Sequence, residues 1–155
     1  MKKMNNKGFS MVELIIVIAI MAILAAALAP ALIKYINKSR LSTDVSTGTS
    51  IASAIQTALS NESAYDACTD LTTEAFGGPS YSNPFSGSMA TEVASTIDPS
   101  KCQVKAKKDM NGSSFGSSAF LVTVKPTTNL VEVYVGDASH MCSPSVEKSL
   151  TEKTN

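Results

Sequence analysis

Tryptophan is absent, histidine occurs once, and aromatic residues make up only 6% of the 155 residues. A core with so few large rings must be modest and built mainly from Val, Ile, Leu and Ala. With a single histidine, and with no P-loop, H-E-x-x-H or spaced calcium loop, the usual hydrolytic and metal constellations are missing. A surplus of either charge is missing too, 13 basic residues standing against 13 acidic ones, so nothing in the overall balance asks for nucleic acid. The length gives room for one globular domain beside a long helix and not for a multidomain enzyme.

Two scarce residue types nevertheless need weighing. Gly112-Ser113-Ser114-Phe115-Gly116 matches G-x-S-x-G, with Asp137 and His140 following in the order of a hydrolase triad. That motif works on a strand-to-helix elbow over a large parallel sheet. Here it falls between two antiparallel strands of a small domain, where a flexible hairpin loop is the better reading, so no catalytic residue and no cofactor is expected. The cysteines are Cys68, Cys102 and Cys142. In an oxidising compartment an odd count allows one disulfide and leaves one thiol over, with three pairings open. Together with His140 they supply the donors of a Cys3His zinc site, but no pair has the tight C-x(2–4)-C spacing of a structural site, and no metal is expected.

The sequence is rich in one thing, an unbroken apolar run. From Leu14 to Ile33 no side chain carries a charge or a hydrogen-bonding group, about the length that crosses a bilayer as a helix. Glu13 stands at its front edge, where a carboxylate near hydrocarbon costs roughly 2.5 to 3.5 kcal/mol and marks a functional position by default. Before the run lie Lys2, Lys3 and Lys7 and no acid, which keeps the N-terminus cytoplasmic and places the bulk of the chain outside. Ala27-Leu28-Ala29 has the form of an ordinary signal-peptidase site, but Pro30 follows directly and disfavours that cut.

Gly8-Phe9-Ser10-Met11-Val12-Glu13-Leu14, after a short basic leader and before an apolar helix, resembles the N-terminal signature of type IV prepilins and the related pseudopilins. The resemblance covers about the first thirty residues. It implies cleavage by prepilin peptidase between Gly8 and Phe9, N-methylation of Phe9, a filament-assembly role for Glu13 and a helix kink at Pro30. By resemblance, too, a disulfide joins Cys102 to Cys142 and ties the C-terminal segment to the sheet; closing a loop of about forty residues, it would add roughly 3 to 4 kcal/mol. The fold implied is α+β and type IV pilin-like: a long N-terminal helix, half transmembrane and half amphipathic, packed on a small antiparallel sheet. The partners implied are further copies of the chain in a helical filament, prepilin peptidase, the pilus assembly platform with its ATPase machinery, and the cytoplasmic membrane before assembly.

Leu41, Val45, Ala52, Ile55 and Leu59 keep one apolar stripe and extend the helix to about Ser60, with a weak place at Ser46-Thr47-Gly48-Thr49-Ser50. The organisation expected is a leader over 1–8, a transmembrane and polymerisation helix over 9–33, its amphipathic continuation over 34–60, a variable loop region over 61–100, an antiparallel sheet over 101–142 and a fraying polar tail over 143–155. Within the loop region Ser88 caps a short helix over Met89 to Thr96, and Tyr81 and Phe85 pack locally. Period-2 alternation predicts strands over Lys101–Lys107, Ala119–Lys125 and Leu130–Gly136, the last two joined by the turn Pro126-Thr127-Thr128-Asn129. Lys101, Lys105, Lys107 and Lys108 form the basic cluster of this part. Repeated along a fibre it would attract DNA or an anionic host surface by avidity; a solvated strand face is the blander reading. The functional reading is a structural pilus subunit, against which stand a pseudopilin of a type II secretion or DNA-uptake system and a membrane-anchored extracellular binding module.

Overall fold

Helix α1 occupies Met11–Leu59, close to the predicted span. It belongs to a computed structural model that describes residues 9–80 and 83–151; the leader assigned to 1–8, Gly8 included, and Tyr81 fall outside the described residues. The chain divides into two compact units, with the boundary after Ile36. In the first, every residue of α1 from Met11 to Ile36 is exposed. Pro30 lies inside α1, and the helix runs through it without melting. One missing donor is tolerated when the rest of a long hydrogen-bond ladder stays intact.

In the second unit α1 buries Leu41, Asp44, Gly48, Ile51, Ala52, Ile55, Ala58 and Leu59. Spacings of three and four put these positions on one face. The weak place at 46–50 does not break the helix, because the hydroxyls turn back onto it: Thr47 donates to the Thr43 carbonyl, Thr49 to Val45 and Ser50 to Ser46, at 2.9, 3.0 and 3.0 Å. Gly48 is there for space. A Cβ on it would stand 2.2 Å from the Cys142 Sγ, so only glycine lets the helix approach the sheet this closely.

That sheet is four-stranded and antiparallel, in the order β1 (Leu71–Phe76), β2 (Phe120–Lys125), β3 (Leu130–Val135), β4 (Met141–Ser143). The predicted alternation in β2 and β3 appears directly: Phe120 pairs with Val135, Val122 with Val133 and Val124 with Val131, and all six side chains are buried against the core. Burying side chains of this size contributes about 1.5–3 kcal/mol each. The turn between them is a short 3₁₀ segment, Pro126–Thr128, closed by Asn129 in the left-handed conformation with its N–H on the Pro126 carbonyl.

Three expectations are corrected. Lys101–Lys107 is not a strand, although Cys102, Val104 and Ala106 are buried and Gln103, Lys105 and Lys107 exposed. Two of its backbone donors go to a side chain of α1 instead of a neighbouring strand: the Lys105 N–H reaches both oxygens of Asp44 at 3.0 Å, and the Ala106 N–H reaches Asp44 Oδ2 at 2.8 Å, while the Val104 N–H donates to the Ser118 carbonyl, outside β2, at 2.9 Å. Alternation in burial therefore does not imply a ladder. Region 61–100 is not only loop. It holds α2 (Glu62–Ala67), the edge strand β1 and α3 (Gly87–Thr96), which Ser86 precedes as N-cap two residues earlier than Ser88 would. In β1 only Phe76 is fully buried and Thr72, Thr73 and Glu74 are exposed, so the strand carries almost no hydrophobic signal. Phe76 packs edge-on against Phe85, centroids 6.4 Å apart. Finally, the polar segment after Ser143 does not fray as far as Thr151: Ser149 and Leu150 are buried, and the Met110 N–H donates to the Ser149 carbonyl at 2.8 Å.

Gly48→Ala should lower unfolding free energy by about 1–3 kcal/mol despite alanine's better helix propensity, and adding Cys142→Ala should recover part of the loss in urea titrations. Asp44→Ala strands two backbone donors and should cost about 2–4 kcal/mol. Burial raises the Asp44 carboxyl above its ordinary 3.8, partly countered by the Ala106 and Lys105 N–H groups. The folded state then holds this proton more tightly than the unfolded state. Asp44's contribution to stability thus falls as pH rises from 3.8 through the folded-state value and is flat beyond it. Comparing the wild type with Asp44→Asn across that window checks the sign.

Candidate functional site

The first turn of α1 explains how an acid can sit at the front of an apolar helix. Ser10 is the residue before the helix; its Oγ accepts the Val12 N–H at 3.3 Å, and its own N–H donates to Glu13 Oε2 at 2.9 Å. The Leu14 N–H closes the turn on the Ser10 carbonyl at 3.2 Å. Ser-x-x-Glu is a capping box, in which two otherwise orphaned donors are satisfied reciprocally. The helix dipole further favours a carboxylate in the first turn. Glu13 is thereby held at the end of the run, and Phe9, 89% exposed, lies just ahead of it. The capping box is written in Ser10-Met11-Val12-Glu13, whose acid serves its own helix as well as bearing a cost in lipid.

Behind this turn the surface is apolar on all sides. α1 is the described helix long and apolar enough to cross a membrane, and none of its most apolar window is buried. In lipid each Leu, Ile or Val of such a run gains about 0.3–0.6 kcal/mol, so the whole outweighs a single carboxylate.

Residues 3–29 match the family described as the prokaryotic N-terminal methylation motif, which is the type IV prepilin signature. The chain thus has the marks of a type IV pilin- or pseudopilin-like substrate of prepilin peptidase. Signature and apolar helix together point to anchoring in a membrane before assembly. No curated protein and no solved structure matches the chain.

The other candidate residues are dispersed. All three cysteines are free thiols, so the Cys102–Cys142 bridge implied by resemblance is not formed in the structure. Cys142 Sγ points to the Val133 carbonyl at 3.2 Å and abuts Gly48, whereas Cys102 Sγ points to the Asp98 carbonyl at 3.4 Å and Cys102 lies against Gly77. Burial pushes the Cys102 thiol up to about 11 and the Cys142 thiol up to about 12. Among the described residues no three His, Cys, Asp or Glu side chains converge as a metal site, so Cys68, Cys102, Cys142 and His140 do not form the zinc alternative.

Asp137 and His140 do meet, with Nδ1 and Oδ1 2.6 Å apart, but the triad goes no further. His140 Nε2 faces Asp109 Oδ2 at 3.6 Å, not Ser114, and the Phe115 ring stands edge-on against the imidazole at 5.0 Å. The Ser113 N–H in turn donates to Asp109 Oδ1 at 2.7 Å. The G-x-S-x-G loop is fastened to the β3–β4 turn by these contacts, a packing device with no exposed nucleophile–base pair.

Native protein should take up a maleimide at half-buried Cys68 and only in denaturant at Cys102 and Cys142, because the two buried thiols are both inaccessible and poorly ionised. An intact mass under non-reducing conditions that is lighter by two hydrogens would contradict the free-thiol arrangement.

Proposed function

We propose that the chain is the structural subunit of an extracellular type IV pilus-like filament and has no catalytic activity of its own. The observation that carries the reading is α1 itself: a helix wholly exposed from Met11 to Ile36, bearing the prepilin signature and closed at its front by the Ser10–Glu13 cap. A helix apolar all round must be covered by lipid or by other helices. Cleavage between Gly8 and Phe9 removes Lys2, Lys3 and Lys7 and frees an amino group that stays cationic after methylation. Phe9 then carries a cation about one helical turn from the Glu13 carboxylate.

In the membrane each subunit keeps this pair at the interface. In the filament the Phe9 amine of one copy meets Glu13 of a neighbour, and the two neutralise each other away from water, where one unpaired charge is strongly unfavourable. The capping box contributes orientation: Ser10 already holds the carboxylate in place, so less freedom is lost when the neighbour's cation arrives. Registration of subunits follows from that pairing. A prepilin peptidase and an ATPase-driven assembly platform are the partners this cycle requires.

The intact mass of the native protein should show loss of Met1 to Gly8 plus one methyl group. Retention of the leader or a cut at Ala29 would contradict the proposal. Glu13→Ala should spare insertion and cleavage and abolish filaments. Glu13→Gln separates the two duties of the residue, since glutamine retains the cap but not the charge. Filaments should be lost in this variant as well, and normal filaments from it would show that the cap alone suffices.

A further inference from the structure

Charge is segregated along the second unit far more sharply than the balanced total suggests. Between Leu41 and Ser100 there is no lysine or arginine, while the next eight residues, Lys101 to Lys108, hold four lysines. The fold turns this segregation in sequence into two ends in space. Lys105 and Lys108 are tied to the beginning of the unit's share of α1, Lys105 through its N–H bonds to Asp44 and Lys108 through its carbonyl, which accepts from Asn37 Nδ2 at 3.1 Å. Arg40 lines the same groove as Lys101 and Lys105. The acids at this end are already engaged: Asp44 is buried on backbone donors, Asp98 pairs with Lys101 at 3.3 Å, and Asp109 faces His140. Arg40, Lys105, Lys107 and Lys108 remain as exposed cations.

The opposite end is acidic. Glu62 and Asp66 lie on α2, which follows α1 directly; the Tyr65 hydroxyl there donates to the Pro126 carbonyl at 3.4 Å. Asp70 precedes β1, whose first residue Leu71 pairs with Val124. All three acids are exposed, and none has an ion pair among the described residues. Lys125 also reaches this end, so the surplus is smaller than three. From Arg40 to Leu59 the helix axis alone separates the ends by about 28 Å, several Debye lengths at physiological salt. The patches cannot neutralise each other within one copy.

We infer that the Arg40/Lys105/Lys107/Lys108 end of one copy docks on the Glu62/Asp66/Asp70 end of another, a contact between domains that accompanies the pairing of the apolar helices. The occupant is a second copy because each end carries the complement of the other. Because the two surfaces differ, the contact is heterologous and repeats into an open filament instead of closing as a dimer. This inference rests on the filament reading, and gives that filament a salt-sensitive component that lipid-facing helices do not supply.

The test uses the full-length protein in cells with its export machinery. Wild-type filaments are compared with those from Lys105→Glu/Lys107→Glu/Lys108→Glu, from Glu62→Lys/Asp66→Lys/Asp70→Lys, and from both sets combined. Each single set should reduce filament yield about tenfold or more and shift disassembly to lower salt, and the combined set should restore much of the yield. A second measurement does not depend on reversing charge: Lys107→Cys with Asp66→Cys should give oxidant-dependent ladders of cross-linked subunits in sheared filaments, reversed by reductant. Wild-type filaments together with unaltered yields in both single sets, or without the ladder, would overturn the docking while leaving the filament reading intact. Loss of DNA retention alone in the lysine variant, with filaments unchanged, would assign the basic end to a polyanion and overturn it likewise. Absence of filaments from the wild type would remove both.

Discussion

A helix whose whole circumference is hydrocarbon has no stable place in water, and this constraint orders the molecule. Among the described residues every position of α1 from Met11 to Ile36 is exposed, so such a helix calls for cover by lipid or by other helices. The single acid in the stretch is tolerated because it stands in the first turn, where backbone donors and the helix dipole receive it. A carboxylate placed a few turns later would have had neither.

The same helix changes character once it enters the second unit, and the change rests on two unusual residues. Gly48 removes a side chain so that Cys142 can touch the helix, and Asp44 places a fully buried carboxylate where hydrocarbon would be expected. Its hydrogen bonds from the Lys105 and Ala106 N–H groups offset part of the desolvation that raises its pKa. They also dock an extended segment onto the helix without a partner strand. The sheet thereby keeps one face on α1, while the lysines of that segment stay outside.

The packing is conservative in its chemistry. Valines dominate β2 and β3, the buried phenylalanines Phe76, Phe85 and Phe120 supply the large volumes, and the thiols behave as small hydrophobes in separate places. A polar knot, Asp109–His140–Asp137 beside Phe115, fastens the loop before β2 to the end of β3. Its residues are those of a hydrolase motif in the right order, yet the imidazole has a carboxylate on each side and no serine. Order along the chain is poor evidence for a triad when the third member faces elsewhere.

Where apolar periodicity was strong, the sequence alone was enough: the extent of α1, the strands β2 and β3, the turn at Asn129 and the signature around Phe9 and Glu13 were all legible, because each depends on neighbours a few residues away. The edge strand β1, the short β4, the free state of Cys102 and Cys142 and the docking of Leu150 were not. Each is stabilised by contacts with residues distant in the chain, and their own side chains are too polar or too few to announce them. Lys101–Lys107 shows the difference most clearly, for its alternating burial was written in the sequence, while the destination of the Lys105 and Ala106 N–H groups was chosen by Asp44, some sixty residues earlier, which only tertiary folding brings within hydrogen-bonding distance.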